Sequence, residues 1–290
     1  DRLAAEPAIQ VASIAAEARK DADARRSLMG EVDLVVLCLP DAAAIEAVSL
    51  ADQLGNRAPR IVDASTAHRV ADGWVYGFPE LDRSQADLIR SARRVANPGC
   101  YPTGGIALIR PLVDAGLMPA DYAVTVNAVS GYSGGGKSMI ESYEVAHTAP
   151  DFELYGLGLQ HKHVPELQRY SGLSRRPIFV PSVGNFRQGM LVSIPLHLDT
   201  LSGAPSAADV QGALESHYQG SELVRVVPAG EAQYLGGRLD ALALNGTDKL
   251  ELYVFANEAQ RQAVLVARLD NLGKGAAGAA VQNIKLMLGL

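Results

Sequence analysis

The chain has 290 residues, 48% of them hydrophobic, with a formal net charge of −6 and no long basic run. That length predicts roughly two domains and a large core, and the acidic balance argues against nucleic acid as the main partner. Two cysteines give no disulfide framework, so a reducing cytoplasm is expected; no Cys/His cluster has metal-ligand spacing, no apolar run nears the ~20 residues of a membrane span, and residues 1–6 read as helix rather than signal peptide.

Residues 8–14 (AIQVASI) read as a short strand and 15–28 as a charged helix. Residues 33–39 (DLVVLCL) form a continuous apolar run, the mark of a strand buried on both faces. Pro40 and Asp41 end it, with Asp41 as N-cap of a helix over 42–54. Residues 60–63 (RIVD) make a strand that ends in Ala64-Ser65-Thr66, and 94–97 make the next. Strands alternating with helices predict an α/β, doubly wound, Rossmann-like parallel sheet. Ligands bind such sheets outside the carboxyl ends of the strands. The loops at 39–41, 64–66 and 97–100 would then face one crevice.

A dinucleotide-binding sheet normally opens with a strand and a glycine-rich turn. No glycine precedes Gly30 here, and residues 1–7 resemble the end of the helix that follows such a turn. The expectation is that this first strand is missing from the sequence. After the 8–14 strand, the cations Arg19 and Lys20 favour a ribose 2′-phosphate, and hence NADP.

From about residue 121 the pattern changes. Strands are expected at 123–130, 177–181, 189–198, 223–227 and 249–256, several with alternating polarity, and helices near 137–146 and 207–219. This is a second, α+β domain with a mixed, largely antiparallel sheet. Residues 271–288 read as a helix of small residues that can pack closely on a backbone or a cofactor. The division expected is a nucleotide-binding domain over 1–100 and 271–290, and a catalytic, substrate and dimerisation domain over 101–270.

Asn97-Pro98-Gly99-Cys100-Tyr101-Pro102-Thr103 sets one cysteine between two prolines, directly after a glycine. The prolines fix φ and the glycine permits a tight turn. A helix is expected over 103–115, so Cys100 stands at its start, where the dipole favours a negative sulfur. That is one way to make a nucleophilic thiol. A thiol nucleophile needs a base, usually histidine. Of the six histidines, His161 and His163 stand out, in His161-Lys162-His163-Val164-Pro165-Glu166, with Glu166 placed to orient an imidazole. Spacing does not decide between the two rings. Residues 131–138 (GYSGGGKS) also fit the phosphate-loop pattern G-x-x-x-x-G-K-S, which makes a nucleoside triphosphate-binding protein the competing reading. Against it, no apolar strand ending in a magnesium-binding Asp follows, and the cysteine corner stays unexplained.

NPGCYPT, SGYSGGGK, HKHVPE and LDNLGKGAAGAAVQN, in that order, resemble the N-acetyl-γ-glutamyl-phosphate reductases of arginine biosynthesis, in their shorter form. The likeness runs through the chain from Asp33. More distant kin are the aspartate-semialdehyde dehydrogenases, whose substrate is the alternative. The resemblance implies an NADP(H)-binding first domain completed by the C-terminal helix, and a second domain for substrate and self-association as dimer or tetramer. It implies that Cys100 attacks N-acetylglutamyl 5-phosphate, that inorganic phosphate leaves, and that the thioester is reduced to the semialdehyde, with His163 or His161 moving the proton. By the same likeness Ser130, Gly131, Ser133, Gly134 and Lys137 form a ligand-binding loop, with Gly134 on the cofactor side and Glu166 among the substrate contacts. Pro40, Ser65 and Arg19 fall on the cofactor side, and Asn283 at the nicotinamide end. Arg187 is expected to fork onto the substrate carboxylate.

Overall fold

The computed structural model describes residues 3–290. The chain forms two units, one comprising the residues up to Pro79, Arg83–Pro98 and Ala277–Leu290, the other Glu80–Asp82 and Gly99–Ala276. In the first unit, 3₁₀ turns at Leu3–Ala5 and Ala16–Ala18 precede α1 (Ala22–Met29), β1 (Leu34–Leu37), α2 (Asp41–Asp52), β2 (Arg60–Asp63), β3 (Val75–Tyr76), α3 (Gln85–Ser91) and β4 (Arg94–Ala96). All strand pairings are parallel, in the order β1-β2-β4-β3. Neighbouring residues point to opposite faces of a strand. Ile61 and Leu37 accordingly pack on Met29, Ala44, Ala47 and Val48 from α1 and α2. Val62 and Val95 pack on Ile89 of α3 and on Ile284 and Met287 of the C-terminal helix. Helices thus cover both faces, as a doubly wound sheet requires, and each Leu, Ile, Val or Met side chain so buried contributes roughly 1.5–3 kcal/mol. Arg60 ties two of these helices together: its guanidinium donates to Ala92 O at 2.9 Å, to Arg90 O at 2.5 Å and to Met287 O. A cation there suits the negative ends of both helix dipoles.

Three expectations for this unit need correction. Residues 8–14 are not a strand; they make no ladder with β1, and Gln10 to Ser13 are exposed. A short apolar run without a neighbour to pair with leaves its backbone groups to water, not to a sheet. Of the helix expected at residues 1–6, Leu3–Ala5 is a 3₁₀ turn and residues 1 and 2 lie outside the described residues. Asp41 is not the N-cap. Pro40 holds that position, and the Asp41 carboxylate instead takes the Thr66 N–H at 2.9 Å and the Thr66 hydroxyl at 2.5 Å. The loops after β1 and β2 are thereby joined.

The second unit runs α4 (Cys100–Asp114), β5 (Thr125–Gly131), α5 (Gly136–Glu144), β6 (Phe152–Leu154), α6 (Val164–Tyr170), β7 (Ile178–Gly184), β8 (Met190–His197), α7 (Ala207–His217), β9 (Val224–Val226), α8 (Ala229–Gln233), β10 (Leu250–Asn257) and β11 (Gln262–Leu269). A π-helical turn, Gly273–Ala277, then leads into α9 (Gly278–Leu288), the C-terminal helix of the first unit. Seven strands form one mixed sheet in the order β6-β7-β5-β8-β11-β10-β9, with only the β5/β7 and β9/β10 pairings parallel. α4 lies across β8 and β11 with every residue from Tyr101 to Ile109 buried. It is therefore the axis of the unit, and Cys100 is its first residue. The chain contains the two-residue β3, the three-residue β6 and β11 in addition to the strands anticipated. No helix among the described residues is long and apolar enough to cross a membrane.

Candidate active site

β4 ends at Ala96, and within four residues the chain turns into α4, with Gly99 as N-cap at φ −73°, ψ 149°. The N–H of Gly99 donates to Glu166 Oε2 at 3.0 Å. Glu166 is 1% exposed and sits in the first turn of α6. The structure thus uses this carboxylate to hold the cysteine corner. Cys100 is half-buried and in no disulfide. The second cysteine, Cys38, is exposed at the end of β1; desolvation at its sulfur and the Asp63 carboxylate push its thiol up, away from nucleophilic character at neutral pH.

Two imidazoles and three aromatic rings gather beside the corner. The His161 and His163 ring centroids are 4.7 Å apart, and Tyr101 lies 6.1 Å and 6.0 Å from them. Phe179 and Tyr155 pack on His161 at 5.1 Å and 5.7 Å. Tyr155 donates its hydroxyl to Tyr101 Oη at 3.1 Å, and Tyr101 donates to Ser182 O at 3.0 Å. Burial raises both phenols, and the neighbouring Cys100 raises them further; Tyr155 is pushed up to about 12, so both are neutral donors. The two histidines differ. His161 Nδ1 accepts the backbone N–H of His163 at 3.2 Å. Burial, aided by the charge of Lys162, lowers its pKa to about 4. His161 is therefore neutral, with Nδ1 already engaged as an acceptor.

The leading amides of the glycine loop are already engaged. The N–H groups of Gly131, Tyr132 and Ser133 donate to Gly189 O, Phe186 O and Arg187 O at 2.9, 2.9 and 3.0 Å. A phosphate loop needs such amides directed at its ligand. Here a hairpin takes them, and a Cβ on Gly131 would stand 2.6 Å from Arg187 O. Ser130 donates to Gly131 O at 3.0 Å; Ser133 is buried and accepts from Asn271 Nδ2 at 2.9 Å; Gly134 lies over Ser130 Oγ. Lys137 is exposed on α5. Arg187, half-exposed, pairs with Glu144.

Sequence reasoning missed what lies against the sulfur. Gly275 approaches so closely that a Cβ there would be 2.9 Å from Cys100 Cβ. The richness of residues 271–288 in small side chains carried that signal. Nothing in the local sequence marked Tyr155.

In the first unit, Ser65 donates to Asp63 Oδ2 at 2.6 Å, and the same oxygen lies 2.6 Å from His68 Nδ1. His68 stacks on Trp74 at 4.2 Å. Pro40 opens α2, while Arg19 and Lys20 are exposed at the turn after Ala16–Ala18, with no strand before them among the described residues. Asn283 is fully buried in α9 and donates to Gly77 O at 2.8 Å and to Asn97 Oδ1 at 3.2 Å. Among the described residues no three His, Cys, Asp or Glu side chains come together as a metal site.

A parallel sheet of nucleotide-binding type, followed by a mixed-sheet unit that opens on a helix-borne cysteine, defines the class of semialdehyde dehydrogenases. Two family models match: "Semialdehyde dehydrogenase, NAD binding domain" over residues 4–89 and "Semialdehyde dehydrogenase, dimerisation domain" over 100–271. Among solved structures, aspartate semialdehyde dehydrogenase II from Vibrio cholerae superposes with a TM-score of 0.68 at 16% identity, over 90% of this chain and 81% of that one. An N-acetyl-gamma-glutamyl-phosphate reductase of Brucella anthropi is 54% identical over 99% of this chain and 93% of its own length. N-acetyl-gamma-glutamyl-phosphate reductase 2 of Nostoc sp. is 51% identical over 97% and 89%. The chain belongs to this N-acetyl-gamma-glutamyl-phosphate reductase family.

The first unit fits a nicotinamide dinucleotide on one observation. Asn283 Oδ1 is buried with no hydrogen-bond donor. Leaving such an acceptor unmet costs about 1–3 kcal/mol, and a carboxamide N–H₂ is the kind of group that would meet it.

Proposed function

We propose that the chain reduces N-acetylglutamyl 5-phosphate to N-acetylglutamate 5-semialdehyde, with release of inorganic phosphate, in the cytoplasm. The observation that carries this reading is Cys100 as the first residue of a buried helix, with Gly275 against it and two imidazoles about 6 Å from the ring of Tyr101, the next residue. His163 takes the thiol proton, because His161 has its Nδ1 committed and a pKa lowered to about 4. Cys100 Sγ then attacks the acyl carbon, the bond to the phosphate oxygen breaks, and a thioester remains on the protein. Negative charge on the carbonyl oxygen is met by amide groups at the start of α4. NADPH, when bound, supplies the hydride that takes the thioester carbon to the aldehyde level. Collapse of the resulting tetrahedral centre expels the Cys100 thiolate, and His163 returns the proton to it. Pro40, Ser65 and Asn283 hold the dinucleotide, with Arg19 for its 2′-phosphate. Ser130, Ser133, Lys137 and Arg187 contact the substrate, and the chain acts as a dimer or tetramer.

The reverse reaction tests this. Phosphate-dependent reduction of NADP is expected with N-acetylglutamate semialdehyde, at a kcat/KM at least about 100-fold above that for aspartate semialdehyde, the margin a built polar site gives over an analogue lacking its partner. Preference for aspartate semialdehyde would assign the chain the sister activity.

A further inference from the structure

We infer that the buried Lys274–Glu80 ion pair is a positioning device for Cys100, one that sets the π-turn on which the nucleophile rests. The inference builds on the reading of Cys100 as nucleophile. Lys274 is 0% exposed, yet it is a cation, and its Nζ donates to both Glu80 oxygens at 2.7 and 2.8 Å. Burial pulls its pKa down, while Glu80 and Asp248 oppose that shift. His217 Nε2 lies 3.3 Å from Glu80 O, and the buried Tyr218 phenol also faces the Glu80 charge. A buried ion pair rarely stabilises a fold more than apolar residues of the same volume would; its best-attested service is to fix register.

The register fixed here is that of Gly275, the next residue. Its missing side chain admits Cys100: a Cβ would meet Cys100 Cβ at 2.9 Å and Cα at 3.4 Å. The near end of the segment is held as firmly. Asp270, fully buried, accepts Gln188 Nε2 at 2.9 Å, Gly246 N at 2.8 Å and Leu272 N at 2.9 Å, and its carbonyl accepts Gly275 N at 3.0 Å. Asn271 bridges Ser133 Oγ and Gly189 N. Lys274 is the far anchor of this strap. Shifts of about 1 Å at a reacting group cost about 100-fold in rate, so the strap's position is a kinetic quantity.

The test uses full-length protein carrying Lys274→Met with Glu80→Leu, which removes both charges of the pair together. Iodoacetamide is the probe, with alkylation of Cys100 followed against pH by mass spectrometry and Cys38 as internal reference. We expect a thermal midpoint near that of the parent, kcat lower by about 10- to 100-fold with KM within about twofold, and a displaced pH profile for Cys100 alone. Reversal of the pair, Lys274→Glu with Glu80→Lys, should restore part of the rate. Glu80→Asp, which keeps both charges but shortens the reach, should displace the Cys100 profile even if the double variant does not fold. A parent-like Cys100 profile and kcat in either variant overturns the inference. The alkylation readout needs no acyl phosphate. Normal turnover by Cys100→Ser would instead defeat the proposed reaction, so the two failures are distinguishable.

Discussion

Residues 131–136 and 273–276, both in the second unit, are each rich in glycine but admit different neighbours. At Gly131 the visitor is the Arg187–Gln188 backbone, which closes the loop by taking its amides. At Gly275 the visitor is Cys100. The first run has the spacing of a phosphate loop, yet its leading amides go to a hairpin; the second has no recognised spacing and packs on Cys100. What a glycine does is decided by what comes within reach of its missing Cβ, and that partner is set by the fold.

This contrast can be pressed from several sides. The largest effect is expected at the base that serves the thiol. His163→Asn should lower kcat by about 10²–10⁴-fold, the usual worth of general acid–base catalysis, whereas His161→Asn should cost about tenfold, by loosening the His163 backbone. Equal losses in steady-state assays would undo the assignment of roles. Next come the two glycine runs themselves. Gly275→Ala should lower kcat about 100-fold, since its Cβ would press on Cys100 Cβ. Gly136→Ala, at φ 73° with no heavy atom within 4 Å, should cost about 1 kcal/mol of stability and leave kcat within about twofold. A parent-like kcat for Gly275→Ala breaks the comparison.

The smallest effect is one of pH. His161 has a folded pKa of about 4 against an ordinary value of 6.5. Below about 6.5 the unfolded chain takes a proton that the folded chain refuses, so stability falls as the pH drops from 6.5 towards 4 and is unaffected above that window. At this half-buried ring, where solvent screens part of the cost, the loss is about 1–2 kcal/mol. Thermal unfolding between pH 7 and 4 should show the slope, and His161→Asn should remove it.

Much of the fold was legible because its signals are local. The RIVD run is β2 with the bounds expected, and NPGC opens α4 where glycine and prolines dictate a corner. β11 was not legible because its hairpin carries no glycine or proline: Arg261 takes the left-handed position at φ 51°. Residues 8–14 were over-read because a short apolar run makes a strand only when a neighbour pairs with it. In the site, Cys100, the His161/His163 pair and Glu166 announce themselves by residue type and spacing. Tyr155 and Gly275 do not, since they meet the corner through tertiary packing across 55 and 175 residues of sequence. The choice between His161 and His163 rests on one backbone hydrogen bond that no sequence pattern encodes.

The most direct test is the mass of the protein itself. Mixed with N-acetylglutamyl 5-phosphate in the absence of NADPH and quenched in acid, the chain should gain one N-acetylglutamyl group, located on the peptide bearing Cys100 and absent from Cys100→Ser. An unmodified Cys100, or an acyl group found on Cys38, would contradict the account.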